Sequence, residues 1–302
     1  MATTVNVTSY YAGKDAGKLF LESFKETDAI KNGALTVYEN VNYKLALRKV
    51  QTTNGRYAYT CGFAPAGSVT LAEKQVAPEK FKDDFQICKE DFRAQWGEES
   101  MGASAHNNVM DKAVMDAIIA NKLADNAQSF AEEIWSGTGS GGQIEGLLTK
   151  FVANDDVIVV DGVEITEENV EAELKKALAA VPVALRRKDL KISVSSDVAQ
   201  AYSFYLISKG IAMGLGGNAN TSLVFGNATL VEDAGLPAST IVIADPANLV
   251  FATATLADHN EIKVVDEDEI GLLTGNVRGT MVYNAGVEYV YGSEIVWYTI
   301  PA

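Results

Sequence analysis

Apolar and polar positions change their period several times along the chain, and each change predicts an element. Up to Gly33 the pattern is polar and mixed, with one short amphipathic patch at Leu19, Phe20 and Phe24, so this segment reads as an arm that needs another surface to order it. From Ala34 to Val50 and again from Arg56 to Gly62, apolar residues such as Val37, Tyr38, Val41, Tyr43, Leu45 and Leu47 alternate loosely with polar ones, as in half-buried strands. Asn54-Gly55 between the two runs predicts a hairpin turn, and "SVTLAEKQV" predicts a third strand. Such a ribbon has too little apolar content for a core of its own and must extend over something else. Pro78 then opens "PEKFKDDFQICKEDFRAQW", where Phe81, Phe85, Cys88 and Phe92 fall at helical spacing behind a first-turn proline. The longest periodic stretch, Asn107 to Trp135, predicts a helix of about 40 Å with Met110, Val114, Ala117, Leu123, Phe130 and Ile134 on its stripe.

After Phe151 short strands alternate with shorter helices. "DVIVV" and "VEI" flank Asp161-Gly162, a second hairpin signal. Thr166 is placed to cap "EENVEAELKKALAAV", with Ile165 and Val170 at staple positions and Pro182 after the end. "KISVS" predicts a strand, Ser196 caps the helix "DVAQAYSFYLISK", and Gly210 ends it. A glycine-rich loop at 211–222 leads to strands near 228–232, 240–244 and 249–252. "EIKVV", the alternating run "GTMVYNAGVEYVYG" and "EIVWYTI" make the last fifth of the chain almost entirely β.

Composition narrows the function classes. The 302 residues are 47% hydrophobic, enough for one large core or two moderate ones. A net charge of -15 argues against a general nucleic-acid-binding surface, and Arg186-Arg187-Lys188 is too short to change that. The first residues carry no export signal, no apolar run approaches the roughly 20 residues of a membrane span, and Cys61 and Cys88 suit a reducing compartment, so a soluble cytoplasmic product is expected.

Catalytic patterns fail one by one. "SGTGSGGQIEGL" at 136–147 follows a helix where a phosphate loop would precede one, and Lys150 lies outside the required spacing, so it reads as a helix end relaxing through glycine. Gly214-Leu-Gly216-Gly217-Asn-Ala219 matches a dinucleotide fingerprint on paper, but no parallel strand–helix–strand unit surrounds it. His106 and His259 are the only histidines, too few and too distant for a zinc site. Asp266, Glu267, Asp268 and Glu269 lack the ligand spacing of a calcium loop and read as a solvated turn or one facing a partner's lysines. No cofactor or metal is expected.

An arm, a long ribbon, a long helix, a compact mixed region and a closing run of strands together resemble the tailed-bacteriophage major capsid protein family, the Hong Kong ninety-seven-type fold. The resemblance is most specific where "GLPASTIVIADPANLVFATATLADHNEIKVVDEDEIG" is followed by "VRGTMVYNAGVEYVYGSEIVWY". It implies an α+β chain with an N-arm at 1–33, an extended E-loop at 34–76, a peripheral domain with a spine helix at 77–150, and an axial A-domain from 151 whose last strands return to the peripheral sheet. It further implies a non-enzymatic shell protein of the virion, assembled in the host cytoplasm as hexamers and pentamers around double-stranded DNA without specific recognition. A separate scaffolding protein, a portal and other head proteins are the expected partners. Interface residues are expected at Leu19, Phe20 and Phe24 in the arm, at Lys44, Arg48, Lys49, Asn54, Arg56 and Tyr57 in the ribbon, and at Gly214, Gly216, Gly217 and Asn220 in the axial loop. The locally basic ribbon suggests docking onto an acidic neighbour. An encapsulin-type compartment shares the fold, and a nucleotide enzyme using a glycine loop is the reading from another class.

Overall fold

The computed structural model describes residues 28–59, 61–62, 66–89, 112–154, 156–210, 223–254, 262–268, 270–272 and 274–301. In chain order the elements are α1 (Asp28–Lys31), β1 (Thr36–Tyr38), β2 (Leu45–Thr52), β3 (Val69–Val76), β4 (Glu79–Cys88), α2 (Lys112–Ser136) and α3 (Leu147–Ala153). Then follow β5 (Ile158–Asp161), α4 (Val170–Ala180), β6 (Lys191–Val194), α5 (Ser196–Ser208), β7 (Leu223–Phe225), β8 (Ala228–Glu232) and β9 (Ile241–Ala244). β10 (Leu249–Ala252), β11 (Ile262–Asp266), β12 (Asn276–Tyr289) and β13 (Val296–Thr299) complete the set.

The alternation near the C-terminus becomes the longest strand, β12, 14 residues in length. It is antiparallel to β4 over residues 276–285, to β11 over 277–281 and to β10 over 286–289, while β10 takes β1 in parallel on its far side. Val277, Met281, Ala285, Val287 and Tyr289 of β12 turn inward, and α2 and α3 cover them with Phe130, Ile134, Leu147 and Phe151. Phe130 meets Tyr283 and Phe251 edge-on, at 6.2 and 5.7 Å between ring centroids.

The second sheet runs β5-β13-β9-β6-β8-β7, six strands in all. Its strand β9 is buried on both faces, which is why "IVIA" has no alternation. Ile241 and Ile243 enter a core with α4 and α5, whereas Val242 and Ala244 join the core beneath α2. Two buried contacts bind the layers together: Trp135 Nε1 donates to Asp233 at 2.7 Å, and a Cβ on Gly235 would lie 2.1 Å from the Ala131 carbonyl oxygen. Only glycine lets that loop approach the helix so closely.

Three local signals gave way to tertiary partners. Within the segment opened by Pro78, Glu79–Cys88 is strand β4 and not helix, while 90–96, with Phe92, lie outside the described residues: Phe81 and Phe85 are spaced by four, which suits either period, and pairing with β12 selects the extended one. Phe85 lies over Gly279, its register partner, where a Cβ would come within 2.1 Å of the ring. Asn54-Gly55 does not close a hairpin between adjacent strands; β2 pairs directly with β3, and the connection runs from Thr53 to Ser68, with 60 and 63–65 outside the described residues. Arg56–Gly62 accordingly holds no strand among its described residues. At Asp161-Gly162 there is likewise no hairpin, because β5 pairs in parallel with β13 and the Tyr298 ring occupies the space beside Gly162.

Elsewhere the predicted elements form with small shifts. α4 begins at Val170, one turn after Thr166, although Val170 N–H still donates to the Thr166 carbonyl and Ile165 and Val170 are buried in one core. Ser195, one residue before the expected cap, precedes α5, and Gly210 ends that helix at a φ of 77°. α2 spans 25 residues, about 37 Å, and positions 107–111 lie outside the described residues. Among the described residues no helix is long and apolar enough to cross a membrane.

Candidate assembly surfaces

Strands β2 and β3 form a sheet of two strands that no third strand joins among the described residues. Eight residues pair on each side, from Leu45↔Val76 at the root to Thr52↔Val69 at the outer end. Burial is confined to the root, where Leu47 and Val76 pack on Val41, Val250 and Ala252. Beyond it, Val50, Val69 and Leu71 are 52%, 67% and 76% exposed, so the ribbon projects from the body as its lack of apolar content requires. Thr53 and Ser68 close the outer end through paired backbone and hydroxyl hydrogen bonds, Arg56 N–H donates to the Asn54 side chain, and Gly55 packs against Gly67.

The C-terminal strands fix the root. Val50 N–H donates to Tyr291 Oη at 3.0 Å, Lys49 stacks over the Tyr291 ring at 5.4 Å, and Lys74 Nζ pairs with Glu288 at 3.0 Å while lying 3.1 Å from the Tyr289 ring centre. Glu288 also binds Lys150 at 3.0 Å, and Lys150 reaches Glu145 at 3.1 Å. One buried carboxylate thereby joins the ribbon, the glycine segment and β12. Burial would lower Lys150, but Glu288 and Glu145 outweigh it and hold this lysine above its ordinary range. Burial pushes Lys74 down, and Glu288 offsets only part of that. Tyr289 donates to Asp156 at 2.7 Å, and burial together with that carboxylate raises its phenol well above the usual value.

The predicted ribbon residues divide between two faces. Arg48, opposite Glu73, shares a face of the ribbon with Val50, whereas Lys49 lies on the other face, over the Tyr291 ring. Lys44 lies just before β2, over the Tyr43 ring at 5.5 Å, and Asn54, Arg56 and Tyr57 belong to the connection after β2. Arg48 and Lys49 therefore lie on opposite faces of the ribbon. Leu19, Phe20, Phe24, Gly214, Gly216, Gly217 and Asn220 lie outside the described residues, as do His106 and His259.

The acidic turn at Asp266–Asp268 is neither solvated nor waiting for a partner's lysines, and Glu269 lies outside the described residues. Lys89, 2% exposed, binds Asp266 at 2.5 Å and Asp268 at 3.0 Å, and Glu267 pairs with Arg278 at 2.9 Å and accepts from Thr274. The turn folds around a lysine of its own chain, from a segment 177 residues earlier. The glycine segment also behaves structurally: Gly146 N–H donates to the Gly137 carbonyl at 2.9 Å, and a Cβ on Gly137 would meet the Ile144 carbonyl oxygen at 2.0 Å. Its glycines let the chain reverse directly beneath the end of α2. Among the described residues no group of three His, Cys, Asp or Glu side chains is placed to hold a metal, and Cys61 and Cys88 are both free.

No protein-family model and no curated protein matches the chain. Solved structures do. The capsid of the native GTA particle superposes with a TM-score of 0.60 at 14% identity, covering 92% of this chain and 91% of that one. The capsid of the myovirus XM1 gives 0.58 at 12% identity over 90% and 92% of the two chains. A virus-like particle from Pyrococcus furiosus gives 0.55 at 9% identity over 95% and 98%. The fold is thus the Hong Kong ninety-seven-type fold of tailed-phage major capsid proteins.

Proposed function

We propose that this chain is the major capsid protein of a tailed bacteriophage, self-assembling as hexamers and pentamers into an icosahedral shell around double-stranded DNA. The observation that carries this reading is the shell-protein fold over nine-tenths of the chain, combined with a ribbon whose outer half has no body of its own to cover it. On this reading residues 1–33 are the N-arm, 34–76 the E-loop, 77–150 the peripheral domain with α2 as its spine helix, and 151–302 the axial domain with strands returning to the peripheral sheet. The interface residues are those of the arm, the ribbon and the axial loop at Gly214–Asn220. The work of the protein is enclosure without catalysis, in the virion after assembly in the host cytoplasm, with scaffolding and portal proteins as partners.

Light scattering on the purified chain across a concentration series, followed by negative-stain microscopy, tests the proposal. Rings of five or six subunits or closed shells support it; a chain that stays monomeric at high concentration with scaffold present overturns it. The likeness to the Pyrococcus particle keeps an encapsulin-type compartment as a second reading. Purified shells containing a protein cargo and no DNA would favour it.

A further inference from the structure

Strand β12 is not paired evenly along its length. β11 follows it no further than Met281 and β10 takes it up again at Gly286, so among the described residues Val282–Ala285 have a strand neighbour only on the β4 side. A hollow of about 470 Å³ lies at this notch, lined by Thr280, Val282 and Asn284 of β12 together with Asn42, Lys80 and Lys263. Register partners share a face, so β4 and β11 add Lys82, Asp84 and Val265 to the same side of the sheet, the side turned away from α2. Arg278 stands there too. Four cations, Lys80, Lys82, Lys263 and Arg278, thus share a face with one carboxylate among its described strand residues, on a chain whose net charge is -15. All four are exposed. Lys82 is engaged by Asp84 at 2.6 Å, and Arg278 by Glu267 at 2.9 Å and Gln86 at 3.2 Å. Lys80 and Lys263, on the strands either side of β12, are the cations at the hollow, and Val282 and Val265 lie beside them 46% and 38% exposed.

We propose that this sheet face is the docking surface for an extended acidic segment of a separate protein, whose carboxylates meet Lys80 and Lys263 and whose apolar side chains cover Val282 and Val265. Charge complementarity selects an acidic partner and fixes its register. An extended segment repeats its side chains on one face about every 7 Å, the same repeat that β12 presents beneath it. Nucleic acid fits less well. The guanidinium that would fork a phosphate is already held by Glu267 and Gln86, and exposed valines offer nothing to a sugar-phosphate backbone. A second copy of the chain is also disfavoured by charge: its projecting ribbon brings Lys44, Arg48, Lys49, Arg56 and Lys74 against the single carboxylate Glu73.

The test titrates the full chain, unassembled, into a fluorescein-labelled peptide of alternating glutamate and valine, about ten residues long, and reads fluorescence anisotropy. The peptide is expected to bind with a dissociation constant on the order of 10–100 μM at low salt, and the matching lysine–valine peptide not to bind. Combining Lys80→Glu with Lys263→Glu should weaken binding at least about tenfold. Lys31→Glu with Arg187→Glu makes the same change in net charge at exposed positions off this sheet face and should weaken it less than about twofold. Val282→Asp should cost at least about threefold. Far-UV circular dichroism and the unfolding midpoint of each variant serve as folding controls. Equal losses in the two double variants, a labelled DNA duplex that binds as tightly as the acidic peptide, or no peptide binding at about 1 mM overturns the inference. So does self-association of the wild-type chain that only the Lys80 and Lys263 reversals abolish, since the occupant is then a second copy. Every arm uses the unassembled chain, so these outcomes leave the shell reading untouched.

Discussion

The pairs β2–β3 and β4–β12 are both antiparallel, eight residues on eight and ten on ten, yet they stand in opposite situations. β4–β12 has one face under α2, with Phe81, Ile87, Met281 and Ala285 buried there. β2–β3 has neither face covered beyond its root. Hydrogen bonding is similar in the two, so what separates a core element from a projecting ribbon in this chain is the side-chain cover. Burying an aliphatic or aromatic side chain is worth about 1.5–3 kcal/mol, while an exchanged backbone hydrogen bond nets about 1 kcal/mol.

Removing the cover is the strongest way to break the contrast. Phe130→Ala deletes a side chain 2% exposed that sits on Tyr283 and Phe251, and should cost the isolated chain about 3–5 kcal/mol in urea unfolding. Gly279→Ala attacks the pairing itself by forcing a Cβ into the Phe85 ring, with an expected loss of about 1–3 kcal/mol by the same measurement. Glu133→Gln sharpens the picture from the other direction. Burial holds this half-buried carboxyl, on the helix that covers β12, above the usual carboxylate range. A raised folded value means the group's contribution is present at low pH and lost as pH rises through that value, so its ionised form weakens the fold at neutral pH. The substitution should stabilise the chain at pH 7 by less than about 1 kcal/mol, and the gain should vanish near pH 4. Smallest of all, Arg56→Glu in the outer ribbon should leave the unfolding midpoint of the isolated chain within about 0.5 kcal/mol of wild type.

Much of this organisation can be read from local pattern. The strict alternation from Met281 to Tyr289 announces β12, and the long stripe through Phe130 and Ile134 announces α2, because each period repeats often enough to be unambiguous. The ribbon follows from what it lacks. The misread places share one cause, a partner distant in sequence. Phe81 and Phe85 satisfy both periods until β12, some 190 residues later, decides between them. The acid run Asp266–Asp268 looks like a solvent turn until Lys89 enters it. Asn54-Gly55 is a sound local turn signal that yields because the register is set at the other end, where Leu47 and Val76 meet the body. As for the candidate interface, the sequence marks the ribbon but not which of its residues share a face, since that depends on how β2 and β3 are registered.

The grip of Tyr291 on Val50 joins residues 241 positions apart, and this gives the molecule a clock. A ribosome completes β3 long before it reaches Tyr291, by about 10–40 s at ordinary elongation rates. Throughout that interval the ribbon lacks Glu288, Tyr289 and Tyr291, the side chains that aim it. A half-made chain therefore cannot hold the ribbon in its final pose, and the order of synthesis alone makes the aiming of β2 and β3 one of the last events of folding.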